Sequence, residues 1–592
     1  MINALIGIGN NLKDLYPMPL VQIPYPYQTG KKEPKIFVID LISNQDLSLK
    51  LEQIDLMDYS IEDSYKRYFF RSPSSSHGAA ASLSFKLSEK TQALRERLKI
   101  LIILGYKIKQ KKLEQIAELI GAKYKEFKDK GLIAKNTPIL LVFRIDKKWP
   151  SENKRLKELF VENFLLSISK YKNKLVWKRD GKCHGCSMET TIYGGIGNLF
   201  KVYTVDKYGY APGLNPKDSW KQYALCENCI LNFERGNRAV DEFLTYSFYG
   251  KSFWLLPVST GELKDVLEIF RFFHKEISGK IKADRDKGDT YLSHEDELLE
   301  RAGAQEDVLF YHFVFTKKDN QAVRILLHIE EVLPSVLRRY VERKREMEKR
   351  FNDIISETSL HNNSFHFSFF FSKNLKESKQ RPGFNDKNFF NLVDKVFRRS
   401  PINETYLISK VMRRIRADMA EMQERETIPW WTVLESLVSL EFLLEWGVLK
   451  RKDGGIIMDN SAYQEFFERH GNFFNHPAKR GLVLLGVLTQ NFLNYQFQER
   501  GGSTPFLKNL KNLRLDQRDI QSIFVALQNK MNEYGIGHWW KNLREGISLS
   551  FIEAGERWPF SPDEIGFYMA IGMSLNSHTA FKDVKDADKD KE

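Results

Sequence analysis

The sequence predicts an α+β protein: an N-terminal mixed α/β part bearing a four-cysteine zinc-binding insertion, followed by an all-helical C-terminal bundle. Three observations carry that expectation. The first 150 residues place strand-like runs, "KIFVIDLI" (Lys35 to Ile42) and "ILLVFRID" (Ile139 to Asp146), on either side of a helical stretch from about Ser88 to Lys130. All four cysteines of the 592-residue chain fall into two CxxC pairs. In the C-terminal half a 3.6-residue apolar period is sustained through "TYLISKVMRRIRADMAEM" and "WWTVLESLVSLEFLLEWGVL".

In chain order, the expected parts are an N-terminal α/β part over 1–150, a zinc-binding region over 151–245, and strands completing the N-terminal domain and its sheet over 246–330. A basic helix and helical middle part follow over 331–457, then a helical bundle over 458–575 and a disordered tail over 576–592. The 42 % hydrophobic and 13 % aromatic content suffices for several buried cores. The longest apolar runs, "ILIILG" and "GLVLLGVL", fall well short of the roughly 20 residues that span a bilayer, so no membrane partner is expected. The N-terminus "MINALIGIGNNLKDLYP" lacks the basic start and small-residue cleavage site of a signal peptide, which points to the cytoplasm.

Cys183 and Cys186 in "GKCHGCSM", with Cys226 and Cys229 in "ALCENCIL", have the spacing at which two knuckles close a tetrahedral thiolate site. Four cysteines in one short region would staple little of a long chain, and a redox CxxC needs only one pair. The expected cofactor is structural Zn2+. Four thiolates fill its coordination and leave no position for a reacting water. His184 lies inside the first knuckle and is expected to shape its turn.

Between the knuckles, "YGGIGNLFKVYTVDKYGYAPG" places Gly194, Gly195 and Gly197 before Asn198 and an alternating strand. These residues form either a plain hairpin turn or a loop that approaches a nucleic-acid groove, with Asn198 bonding base edges. An HNH-type nuclease would need histidines in this insert, and Ser187 to Leu225 contains none. No GxxxxGK[ST] loop or HExxH motif occurs either, so catalysis is not expected.

The formal charge of +14 suggests a polyanion partner. In "YKRYFFRSPSSSHGAAASLSF", Lys66, Arg67 and Arg71 are candidate phosphate contacts beside the aromatics Tyr68, Phe69 and Phe70, or else belong to a surface loop. The helix "PSVLRRYVERKREMEKRF" sets seven Lys or Arg, Arg338, Arg339 and Arg343 among them, against three acids. Such a run suits either solvent or phosphate. From Lys479 to Arg544 ten Lys or Arg, Lys479, Arg480, Lys508, Lys511, Arg514, Arg518, Lys541 and Arg544 among them, stand against four Asp or Glu and come mostly from turns and helix ends. His538, Trp539 and Trp540 offer either stacking faces or core packing.

"KRDGKCHGCS" and "KVYTVDKYGYAPGLNPKDSWKQYALCENC" resemble the zinc-bearing large subunit of the type I-B CRISPR Cascade complex. "LHIEEVLPSVLRRY", "GLVLLGVLTQNFLNYQFQERGGSTPFLKNLKNLRLD" and "DEIGFYMAIGMSL" look like later blocks of that family in the same order. The resemblance covers most of the chain beyond about residue 140 and matches the N-terminal part in layout more than in motif. It implies a non-catalytic subunit that binds the crRNA 5′ end and target DNA, recognises the PAM, supports R-loop formation and recruits a helicase-nuclease. Implied partners are crRNA, target double-stranded DNA and its displaced strand, the other Cascade subunits and that nuclease. It also implies that the C-terminal bundle resembles the small subunit, which contacts the target or displaced strand and in this family is sometimes made separately, so that the eight basic residues named between Lys479 and Arg544 become candidate contacts to single-stranded DNA. Met458, after "DGGII", is the candidate internal start. The rival readings are a stand-alone zinc-stabilised nuclease and a DNA-binding regulator.

Overall fold

The structure is a computed structural model. It describes residues 1–21, 35–60, 67–68, 85–86, 98, 101, 106–133, 137, 139–171, 174–200, 212–248, 251–259, 261–285, 293–319, 322–352, 384–421, 428–450 and 463–575. It is a mixed α/β chain with the four-cysteine cluster in its N-terminal half and a helical C-terminal region, as the sequence predicts. Two compact units form: the first is Met1–Tyr246, Ser252–Lys280 and Tyr311–His328, and the second is Ser247–Lys251, Ile281–Phe310 and Ile329–Glu592. Among the described residues no helix is long and apolar enough to cross a membrane.

The first unit opens with helix α1 (Ile2–Asn10) and a sheet in the order β2-β1-β4-β3, built from β1 (Lys35–Ser43), β2 (Leu49–Asp58), β3 (Phe85–Lys86) and β4 (Ile139–Ile145). Strand β1 is antiparallel to β2 and parallel to β4. Its near-continuous apolar run fits a strand covered on both faces, and six of its nine residues are buried. The one buried carboxylate of β1, Asp40, accepts from Arg144 Nε of β4 at 2.6 Å. Between β3 and β4 lies α2 (Gln110–Asp129), which buries Leu113, Ile116, Ala117 and Ile120 at helical spacing. Helix α3 (Lys154–Ile168) is capped by Asn153, whose Oδ1 accepts from the Leu156 amide at 3.2 Å.

After α3 the chain forms short strands, β5 (Lys170–Tyr171), β6 (Lys174–Leu175) and β7 (Lys178–Lys182). The basic stretch "KNKLVWKRDGK" is therefore mostly strand. Strand β7 joins β8 (Glu189–Tyr193) and β9 (Leu225–Cys226) in a three-stranded sheet. The one-turn α4 (Ile196–Leu199) and the longer α5 (Glu227–Glu242) follow β8 and β9. Helix α1 packs on α5 with almost no side chain between them: a Cβ on Gly236 would stand 2.1 Å from the Leu5 carbonyl oxygen.

The strands expected to complete the N-terminal sheet form a sheet of their own. β10 (Thr245–Phe248), β11 (Lys251–Ser259), β12 (Leu309–Asp319) and β13 (Ala322–Val332) lie in that order. Local succession explains the difference, because neighbouring strands in sequence pair with one another. Helices α6 (Lys264–Arg285) and α7 (Ser293–Gly303) fall between β11 and β12.

The second unit is helical. It contains α8 (Pro334–Asn352), α9 (Phe384–Phe397), α10 (Glu404–Glu421), α11 (Trp430–Glu445) and α12 (Gln464–Arg469). Beyond them lie α13 (Pro477–Glu499), α14 (Gln517–Glu533), α15 (Lys541–Ala554) and α16 (Pro562–Leu575). Two short strands, β14 (Ile402–Asn403) and β15 (Leu449–Lys450), pair in parallel. Helix α16 is buried on every side from Glu564 to Leu575, and α13 from Pro477 to Leu493, so these two helices form the centre around which the others pack.

Candidate metal centre and nucleic-acid interface

The β7–β8 turn carries Cys183 and Cys186, and β9 delivers Cys226 to the N-cap of α5, whose first turn supplies Cys229. A left-handed Ser187 (φ 62) tightens the first knuckle, where the Ser187 amide donates to the Cys183 carbonyl at 2.9 Å. Pairing of Ile192 with Cys226 fixes the second knuckle against the first. The four Sγ atoms all lie within 4.8 Å of one another, and those of Cys186 and Cys226 are 3.7 Å apart. Sulfurs bonded to tetrahedral zinc at about 2.3 Å stand about 3.8 Å apart, so the donor set fits that ion.

The electrostatics support the fit. Burial pushes the Cys183 thiol up, and backbone N–H groups of Cys226, Cys186 and Gly185 outweigh it and bring the pKa down to about 7. Burial, followed by the Cys183 charge, pushes the Cys229 thiol up. Four close thiols cannot all ionise unaided, and a divalent cation would supply the missing positive charge. His184 shapes the knuckle as expected: its Nδ1 accepts from the Ala224 amide at 3.0 Å, and its ring stacks on Tyr223 with centroids 5.4 Å apart.

In the helical unit, Ser409, Arg413, Arg416, Ala417, Arg514 and Asp563 line a cleft of about 510 Å³. Arg416 is structural: it pairs with Asp563 at 2.7 Å and donates to the carbonyls of Asn512 and Leu513 at 3.3 and 3.0 Å. Those carbonyls belong to a run of three left-handed residues, Lys511, Asn512 and Leu513, with φ of 45, 53 and 58. Such a run is costly for non-glycine residues and persists here under the Arg416 clamp. It presents Arg514 to the cleft. Arg413 and Arg514 are exposed and have no ion-pair partner among the described residues.

Residues 180–332 match the model of the central domain of CRISPR-associated protein TM1802, and residues 367–587 match the C-terminal domain of the same family. Together the matches span more than half of the chain. The chain belongs to this CRISPR-associated family. No curated protein matches it.

Within this TM1802-family chain, the four predicted metal ligands are brought together and most of the predicted nucleic-acid contacts are not. The expected Gly-rich hairpin is corrected. Gly194 and Gly195 are buried, and a Cβ would stand 2.4 Å from Trp220 Cβ at Gly194 and 1.5 Å from the Ile168 carbonyl oxygen at Gly195. Neighbouring chain therefore covers the backbone that would have to approach a duplex. Gly197 and Asn198 lie on the one-turn α4.

Lys479 and Arg480 are corrected as well. Only 3 % and 9 % exposed, they bond inward, Lys479 to Glu404 at 3.4 Å and Arg480 to the Phe474 carbonyl at 3.1 Å. In the basic helix α8, Arg338 donates to the Gly303 and Gln305 carbonyls, Arg339 to the Ser335 carbonyl, and Arg343 pairs with Glu346 and Glu445. Lys511 is held by Asp519 at 2.6 Å, Lys541 lies 3.9 Å from Glu545, and Arg544 is half-buried. Lys508, Arg514 and Arg518 remain exposed without an ion pair among the described residues. Arg67 lies over the Trp149 ring at 5.4 Å, and Tyr68 is a core residue against Tyr59 and Trp149. Trp539 is 37 % exposed and edges onto Trp540 and Tyr495. Lys66, Arg71, Met458 and the tail at 576–592 lie outside the described residues.

Sequence reading missed Arg413. Its signal was present in "KVMRRIRADM", whose apolar period assigns alternate arginines to the outer face of α10. It also missed Lys178, Arg179 and Lys182, which β7 exposes beside the metal centre, with Arg179 stacked 3.6 Å over Trp220.

Proposed function

We propose that the chain is the non-catalytic large subunit of a type I-B crRNA-guided surveillance complex. In that role it binds the crRNA 5′ end and target DNA, recognises the PAM, supports R-loop formation and offers a surface to a separate helicase-nuclease. Guide pairing then reads the target sequence while the protein reads the short PAM duplex, a division of labour known for guided effectors. The observation that carries this reading is the arginine-lined cleft of the helical unit. Arg413 and Arg514 face it without an ion-pair partner among the described residues, and Lys508 and Arg518 nearby in sequence to Arg514 are exposed. Guanidinium groups so displayed match the geometry of a phosphodiester chain. A thiolate centre that fills the coordination of its metal favours scaffold over catalyst.

The test is reconstitution with crRNA and the other Cascade subunits, followed by measurement of target binding. The Arg413→Ala/Arg514→Ala variant is expected to lose about tenfold in affinity at physiological salt. Unchanged affinity would remove the cleft from the interface, and DNA cleavage by the isolated chain with Mg2+ or Mn2+ would favour the stand-alone nuclease instead. Use of Met458 as an internal start would yield a separate small subunit, seen by intact mass of the purified complex.

A further inference from the structure

A second group of metal-binding side chains lies away from the cysteines. His312 of β12 and His328 of the adjacent β13 face one another: His312 Nδ1 and His328 Nε2 are 3.0 Å apart, and the rings stack with centroids 5.2 Å apart and planes at 29°. Glu330 follows His328 by two positions on the same strand, which places both side chains on one face. One donor atom from each of the three lies within 4.8 Å of the others. Burial is graded across the group, with His312 buried, His328 half-buried and Glu330 exposed. A cation could therefore arrive from solvent and meet its innermost ligand already held by the sheet.

We propose that His312, His328 and Glu330 form a second metal site, which takes a late first-row divalent cation of the Ni2+, Co2+ or Cu2+ type. Two imidazoles and one carboxylate are borderline donors that suit these ions rather than Mg2+ or Ca2+. The two nitrogens share a hydrogen-bonded proton at 3.0 Å, which a cation would displace to take both as ligands. The three protein ligands would leave the remaining positions to water.

The full chain, isolated with its thiolate centre loaded with zinc, would be dialysed against Ni2+, and both metals would be counted per chain. The wild type is expected to take up about one nickel in addition to its zinc. His328→Gln and Glu330→Gln, both at the accessible end of the group, should weaken nickel binding by about tenfold or more while zinc content and the circular dichroism spectrum stay unchanged. No nickel uptake by the wild type would reduce the histidine pair to a hydrogen bond and overturn the site. Nickel uptake undiminished in both variants would place the ion elsewhere and overturn it equally. Retained zinc in the variants excludes misfolding as the cause of a loss.

Discussion

Gly486 and Gly572 meet backbone to backbone where α13 crosses α16. A Cβ at Gly572 would stand 3.0 Å from the Gly486 Cα and 1.9 Å from the Val483 carbonyl oxygen, and one at Gly486 would stand 2.1 Å from the Met569 carbonyl oxygen. No rotamer change relieves a clash between a Cβ and a main-chain oxygen, so the helices themselves would have to separate. Both are buried along most of their length, and separation would open the centre of the helical unit. Gly572→Ala is therefore expected to destabilise that unit by about 2 kcal/mol or more, read as a lower denaturation midpoint.

Gly121→Ala should act in the opposite direction. A Cβ there meets nothing within 4 Å, and the residue lies within the largely exposed α2. Alanine restricts the unfolded chain and favours the helix, for a gain of about 0.5 to 1 kcal/mol. A lower midpoint for this variant would show that the open side of α2 is covered.

What the sequence disclosed divides along this line between pattern and packing. The two CxxC pairs located the candidate metal centre because ligand spacing is a local property, and the 3.6-residue periods located α10, α11 and α13 because burial repeats along a helix. Formal charge misled at Lys479 and Arg480, since charge alone does not say whether a cation faces solvent or a buried carboxylate such as Glu404. The glycines misled for a related reason: Gly194 looks like a turn residue until Trp220, 26 positions away, is seen to occupy the space of its missing side chain. Long-range contacts of that kind leave no local trace.

Lys479 and Arg514 should separate stability from binding. Replacing Lys479 leaves the buried Glu404 without its cation, which for a broken buried pair costs about 3 to 5 kcal/mol, and should leave nucleic-acid affinity per folded molecule unchanged. Arg514→Ala should leave the melting temperature unchanged and lower the slope of log affinity against log salt by about 0.7 for a single-stranded target. If Lys479→Ala alters the salt slope and Arg514→Ala does not, the assignments are reversed.

The metal centre should couple to the N-terminal helix. Cys226 and Cys229 begin α5, on which α1 rests at Gly9 and Gly236, and Tyr223 beside the centre donates to Asn3 at 2.8 Å. The Cys226→Ser/Cys229→Ser variant is expected to fall from about one zinc per chain to nearly none. Loss of the ion should also raise hydrogen exchange in residues 2–10 while exchange in α16 stays slow. Unchanged exchange at the N-terminus would show that α5 stands without the ion.

The pH response of the helical unit should be carried in part by His476. This residue caps α13: its Nδ1 accepts from the Ala478 amide at 3.1 Å, which only the neutral imidazole can do. Burial, and then the positive charge of Lys479, hold its pKa below the ordinary 6.5. With the folded value below the unfolded one, the unfolded chain binds the proton more tightly, so the stabilisation is fully present above pH 6.5 and is lost as pH falls through the folded value. Melting of the wild type should therefore move to lower temperature between about pH 6.5 and pH 5. His476→Asn keeps a side-chain acceptor at the cap and removes the titrating group, and is expected to flatten that part of the profile while retaining most of the stability at about pH 7.5. A His476→Asn variant with the same slope as the wild type would assign the acid response to other groups.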